Sequence, residues 1–260
     1  KSIVGVDTNP EATREALELG IIDRYCGLEE AARCADCIVV ATPPSTVEEI
    51  TAVLSRTCKD GTLIMDLSSV KEPILERIDE FCPLTLHFIS VHPMTGRETS
   101  GPSAATADLF DDAPVILVPS ISTRPEAIER ADAIWRHLGA RVYQALPAEH
   151  DELVTGASHL PQLVAFSLAS TLADLYPDLR EINQIAGTGL KGMIRTARSN
   201  PELWRQIPTK YAQAARRLKG VLDGVNDLTV WRRRVEARDL FCQGFARAGQ
   251  GAAIKQPGFE

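Results

Sequence analysis

His92 follows the apolar run 86–91 and precedes Pro93, where a strand has to stop. A neutral imidazole at the carboxyl end of a strand can accept a proton, and an ordinary pKa of about 6.5 suits that work. The plainer use of such a residue is a loop histidine bonded to backbone. Ser69 follows the run 62–67. Its hydroxyl can bond that histidine or a bound ligand, or cap the helix that opens at Glu72. Asp7 closes the short apolar run 2–6, and Thr42 and Pro43 follow the run 37–41. Each of these residues comes directly after a strand-like segment.

Two motifs invite chemistry that their setting does not support. Gly187, Gly189 and Gly192 make a GxGxxG. A pyrophosphate loop of that form needs a strand before it and a helix start after it. This one sits among helical patterns, and reads as a tight helix–helix connection or as part of a substrate site. Cys34 and Cys37 form a CxxC with no second pair and no nearby histidine. Buried thiols are the expectation there, rather than zinc or redox use.

The elements that must position these residues alternate through the first 147 positions. Strands are expected at 2–6, 37–41, 62–67, 86–91, 115–118 and 141–144. Helices are expected at 10–19, 28–33, 45–54, 72–81 and 124–138. Ser45, three residues ahead of Glu48, has the form of a capping box. Apolar strands separated by helices imply an α/β fold: a doubly wound, mostly parallel, dinucleotide-binding sheet covered on both faces. Ligands of such sheets lie beyond the carboxyl ends of the strands, where Asp7, Thr42, Pro43, Ser69 and His92 stand. After Pro147 the strands stop. Helical patterns cover 149–175, 200–218 and 221–247, and Pro161 is expected to kink the first of them near His159. The chain divides into a Rossmann-like domain, 1–147, and an all-α domain, 148–260.

Composition excludes several classes. Of 260 residues, 44% are hydrophobic and 24% charged, which is a globular balance rather than a disordered one. The net charge is −7, and no basic block argues for nucleic acid. Arg232, Arg233 and Arg234 read as a solvated helix face. The longest apolar runs are far too short to span a bilayer. Six cysteines make no disulfide framework, and no signal peptide is visible, so the cytoplasm is the expected compartment.

The chain opens with Lys1, and the run at Ile3 already reads as a buried strand. If that is the second strand of a dinucleotide fold, the first strand and its glycine turn lie upstream. The expectation is a chain longer by about one strand–turn–helix unit, roughly 30 residues, without which NAD binds poorly.

Longer segments carry a resemblance. V-D-T-N-P at 6–10, with G-I-I-D at 20–23, looks like a second strand and its helix. D-L-S-S-V-K at 66–71 is similar to a D-x-G-S-V-K segment. H-P-M-T-G-R-E-T-S-G at 92–101 is similar to an H-P-x-x-G-x-E-x-S-G loop, with Leu109 and Phe110 at the usual distance. S-H-L-P at 158–161, G-L-K-G-M-I-R at 189–195 and S-N-P-E-L-W at 199–204 complete the set. Together they resemble the prephenate/arogenate dehydrogenases of tyrosine biosynthesis, from Val4 to about Trp204.

The resemblance implies NAD-dependent oxidative decarboxylation of prephenate or arogenate, in a homodimer joined through the helical half. It makes His92 the proton acceptor, with Ser69 beside it or beside the nicotinamide. It sets Asp7 on the adenosine ribose, where its charge repels the extra phosphate of NADP, and Thr42 and Pro43 along the cofactor. Arg195 would clamp the ring carboxylate, His159 and Trp204 would contact substrate, and Glu98 would complete the pocket. Each has a plainer reading as well: a surface salt bridge for Arg195, core packing for His159 and Trp204, a loop acid for Glu98. His150, at a helix start, and Lys71, in a first turn, are set aside from the chemistry. Gly192 stands where the family usually has Asp, Ile194 where it has Thr, and Ser68 where it has Gly. Those departures leave room for a dehydrogenase of another small acid, or for a non-catalytic dinucleotide-fold binding protein.

Overall fold

The computed structural model describes residues 2–96, 101–176, 178, 180–199 and 204. Two compact units divide the chain, Lys1–Pro208 and Thr209–Glu260, and every described residue belongs to the first. The helices expected at 200–218 and 221–247, and the arginines at 232–234, lie outside the described residues.

The elements run β1 (Val4–Gly5), α1 (Pro10–Glu18), β2 (Arg24–Tyr25), α2 (Leu28–Cys34), β3 (Cys37–Val40), α3 (Pro44–Thr57), β4 (Leu63–Asp66), α4 (Glu72–Phe81), β5 (His87–Pro93), β6 (Pro114–Val118), α5 (Pro125–His137), β7 (Arg141–Gln144), α6 (Pro147–Val154), α7 (Leu160–Leu175), α8 (Arg180–Ile185) and α9 (Thr188–Ala197). Helix α1 starts as its sequence dictates. Asn9 accepts the N–H of Glu11, Pro10 fills the first turn, and Gly20 beyond it takes φ +69°, a conformation that favours glycine. The capping box at Ser45 does not form. Pro43 is the N-cap of α3, and the Thr46 hydroxyl lies 2.9 Å from both Thr42 Oγ1 and the Pro43 carbonyl. Pro44 suits a first helical turn and starts the helix ahead of the serine.

Five strands form one sheet in the order β3-β4-β5-β6-β7, parallel except for the β5–β6 pair. A separate parallel pair joins β1 to β2, a two-residue strand that no sequence pattern announced. Ile3 and Val6 are 60% and 42% exposed. The run at 2–6 is therefore not a buried strand here, because among the described residues β1 has a neighbour on one edge only.

Side chains alternate across the five-stranded sheet. Ile64 and Phe88 pack with α2, α3 and α4 through Ala32, Val47, Leu54, Leu75 and Ile78. Leu63, Met65, Ile89 and Val91 pack with α5 through Ala127, Ala131 and Trp135. The alternation also sorts the polar residues. Asp66, Ser90 and His92 fall on the side of Ile64 and Phe88, beside the start of α4. Register sets them level: Val40 pairs with Asp66 and Asp66 with Ser90, so Thr42, Ser68 and His92 each stand two residues further along neighbouring strands.

Pro161 produces a widened turn. Helix α6 ends at Val154, a π-helical turn runs Thr155–His159, and α7 opens at Leu160 with Pro161 in its first turn. Proline has no N–H for the carbonyl four residues back, and a π turn absorbs the misfit without ending the helical path.

Candidate active site

His92 lies inside β5, opposite Ile116 of β6, rather than beyond the strand. It is 8% exposed. Its Nδ1 is 2.8 Å from Nε2 of His150, and Nδ1 of His150 is 2.8 Å from Oδ1 of Asp151. Asp151 also accepts the main-chain N–H groups of Lys71 (3.0 Å) and Glu72 (3.1 Å). Lys71 is fully buried. Its ammonium donates to Asp66 Oδ2 at 2.9 Å and to the Val91 carbonyl at 3.0 Å. Asp66 Oδ2 takes two further donors, the hydroxyls of Ser68 (2.9 Å) and Ser90 (2.5 Å), while Oδ1 takes the Ser68 N–H. Buried charge of this kind persists only when each group is paired and hydrogen-bonded, and here each is.

Electrostatics follow from burial. Burial, with Lys71, His150 and His159 as neighbours, pushes the His92 imidazole down to about 2, far below the ordinary value expected of it. Burial takes His159 down to about 4, against the pull of Asp151. Burial works to raise Asp151, but the bonds from His150 and from the N–H groups of Glu72 and Lys71 outweigh it and hold the carboxyl low. Burial lowers Lys71, with Asp66 opposing. The result is a neutral imidazole beside a fixed ammonium–carboxylate pair.

His159, at the end of the π turn, is buried near this cluster, its ring 5.7 Å from that of Trp204, which also meets Phe166. Ser69 is half-buried, and its hydroxyl has no partner among the described residues. Asp7 is exposed, and its Oδ1 accepts the Asn9 N–H at 2.7 Å. Arg195 lines a cavity of about 750 Å³ between α7, α8 and α9, with Lys191, Arg198, Leu172 and Ile194. His92 and His159 are not among its lining residues. Glu98 lies outside the described residues.

Three readings change. Lys71 is a buried ion-pair partner rather than a first-turn bystander, because its side chain turns inward to Asp66 five residues back. His150 is no bystander either: it is fully buried against His92. Cys34 and Cys37 are exposed, not buried, since one ends α2 and the other opens an edge strand. The GxGxxG begins in the tight connection between α8 and α9, as expected: Gly187 caps α9, and Gly189 and Gly192 lie within that helix. Among the described residues no group of three or more His, Cys, Asp or Glu is placed to hold a metal.

Residues 1–144 match the model of the prephenate dehydrogenase nucleotide-binding domain, and 146–243 that of the prephenate dehydrogenase dimerization domain. The chain belongs to the prephenate dehydrogenase family. A prephenate dehydrogenase of Bacillus subtilis is 32% identical over 219 residues, which cover 80% of this chain and 56% of that protein. A cyclohexadienyl dehydrogenase of Zymomonas mobilis is 29% identical, covering 82% and 72%. The chain thus spans little more than half of the Bacillus relative. Among solved structures, Aquifex aeolicus prephenate dehydrogenase in complex with hydroxyphenyl propionate and NAD+ superposes with a TM-score of 0.81 at 26% identity, over 96% of this chain and 88% of that one. Synechocystis arogenate dehydrogenase shares the fold, with a TM-score of 0.68 at 23% identity over 95% and 90%.

Proposed function

We propose that this prephenate dehydrogenase family member catalyses NAD-dependent oxidative decarboxylation of prephenate or arogenate. The observation that carries the reading is His92: a buried, neutral imidazole at the carboxyl end of a parallel strand, level with Thr42 and Ser68, its Nε2 unbonded among the described residues. The residues present fit a dinucleotide. Asp7 offers an exposed carboxylate to ribose hydroxyls, Thr42 and Pro43 open an α3 N-terminus without a side-chain cap, and Ser69 has a spare hydroxyl for the nicotinamide amide. When bound, NAD supplies the hydride acceptor.

The protein's part is positioning and one proton. His92 takes the hydroxyl proton as the carbon beside it loses hydride. When the ring carboxylate leaves as carbon dioxide, the electron pair of that bond flows through the ring to the oxygen, which takes the proton back. The ring becomes aromatic and no proton is consumed. Arg195 clamps the carboxylate through its planar guanidinium. His159, Trp204 and Glu98 complete the substrate side.

The division into 1–147 and 148–260 is part of this reading, as is a homodimer. The family's dimerization domain and the apolar surface of α7, whose Leu175 is 65% exposed, support the dimer. A cytoplasmic location is part of the same reading. Separately, the five cysteines among the described residues are free, and among those residues no helix is long and apolar enough to cross a membrane. A second reading, another small acid as substrate, draws on Ile194, which lines the same cavity as Arg195. Formation of NADH with prephenate, arogenate and a non-aromatising hydroxy acid separates the two. Turnover of the last alone overturns the first reading, and turnover of none by a protein that titration shows to bind NAD overturns both.

A further inference from the structure

The hydrogen bonds behind His92 have a direction. An ionised carboxylate only accepts, so Asp151 Oδ1, 2.8 Å from His150 Nδ1, requires a proton on that nitrogen. A neutral His150 then presents Nε2 as an acceptor, and the 2.8 Å bond to His92 requires that His92 Nδ1 donate. That leaves Nε2 of His92 without a proton. Asp151 is itself held rigid by the N–H groups of Lys71 and Glu72, so the order propagates outward from a fixed anion.

The charges of the cluster bear on where a proton can rest. Among the described residues, the groups that face the two histidines are Lys71, Asp66, Asp151 and His159: one ammonium, two carboxylates and a neutral imidazole. The set holds one negative charge in excess. Lys71 and the neighbouring histidines oppose a positive charge on His92, whereas His150 bonds directly to the spare carboxylate. A proton that passes one bond inward cancels the excess.

We propose that His150 and Asp151 form a proton relay behind His92, holding it as the Nδ1–H tautomer and storing the proton that the substrate hydroxyl releases. This rests on the dehydrogenase reading. In the forward step the substrate O–H breaks and an N–H forms at His92 Nε2, while His92 Nδ1–H breaks and an N–H forms at His150 Nε2. The hydrogen on carbon leaves with its electron pair for the cofactor, and the C–O bond becomes a carbonyl. When carbon dioxide departs, the ring oxygen gains an electron pair and the two transfers reverse. His150 and Asp151 are positioning residues, since both act through His92.

Nitrogen-15 NMR of the histidine rings in the wild-type protein, without cofactor, tests the tautomer. The relay requires Nδ1–H and bare Nε2 on both His92 and His150. A proton on Nε2 of His92 would overturn it. The second arm is His150→Gln, whose amide oxygen can still accept from His92 Nδ1–H but cannot carry a proton. It should keep the tautomer and KM while kcat falls roughly 10²-fold, the low end of what positioned proton transfer contributes, with a changed solvent isotope effect and pH profile. Unchanged kcat and pH profile would reduce the pair to packing. The predicted tautomer in a protein that binds NAD yet turns over neither acid would instead overturn the dehydrogenase reading, and the transfer with it, while the tautomer assignment stands.

Discussion

The carboxylate of Asp151 accepts the main-chain N–H of Lys71 at 3.0 Å, across 80 positions of sequence. Helix α4 has no side-chain cap of its own, and Asp151 supplies one from α6, binding Glu72 as well. An acceptor and a negative charge at a helix N-terminus both stabilise it. Asp151→Ala should cost about 1–2 kcal/mol, the upper range for a lost cap. Urea unfolding measures it; a loss below about 0.5 kcal/mol, the scale of a neutral surface change, would mean that water replaces the cap.

The Lys71–Asp66 pair makes a larger prediction. Neither side chain exposes any surface. Removing one partner leaves an uncompensated buried charge, which typically costs about 3–5 kcal/mol. Lys71→Met should lose that much stability. The double variant with Asp66→Asn should lose less than the sum of the two singles, since residues in one network couple. Additive losses in urea unfolding would show that the pair does not act as a unit.

Stability should fall with acid earlier than carboxylates alone predict. His92 and His159 are held neutral in the fold, down to about 2 and about 4. An unfolded chain protonates both near its ordinary value of about 6.5. Between about pH 6.5 and 4 the unfolded state therefore binds more protons, and stability falls as pH falls, by up to about 1.4 kcal/mol per pH unit for each histidine. The depressed Asp151 acts in the same direction lower down, its contribution being lost as pH falls through its folded pKa. Unfolding free energies at pH 7, 6 and 5 check the slope. His159→Gln should flatten it, and a flat wild-type profile would mean that the histidines are solvated.

What the sequence made legible was local. Helix α4 and strand β7 fall where periodicity and end signals put them. His92 was legible because a strand end is marked by Pro93. The network behind it was not. His92 meets His150 58 positions away, and Lys71 meets Asp151 80 positions away, and no pattern in a window of ordinary length links them. The Asp66–Lys71 spacing was visible, but nothing local said that the lysine turns inward. Ser45 failed as a cap for a local reason, since Pro44 is a better helix start.

Arg195 tests the substrate side. Arg195→Ala should weaken binding of the acid by about 1.5–3 kcal/mol, the scale of hydrogen bonds to a charged group, and leave NAD affinity unchanged. Titrations with each ligand separate the cases; equal weakening of both would make the arginine structural.

Gly192 gives the last prediction. It lies inside α9, between Lys191 and Met193 and three residues before Arg195. Its φ is not in the left-handed region, and an added Cβ meets nothing among the described residues within 4 Å. The backbone therefore does not require glycine there, and glycine in a helix interior costs about 0.8–1 kcal/mol relative to alanine. Gly192→Ala should raise stability by about that amount, partly by restricting the unfolded chain, and should leave kcat with prephenate or arogenate unchanged. Thermal and urea unfolding measure the first effect, and NADH formation the second. A stabilised variant with a raised KM would mean that the open space at Gly192 is occupied by the acid. A destabilised variant would mean that the added methyl group is not accommodated and that the position requires glycine.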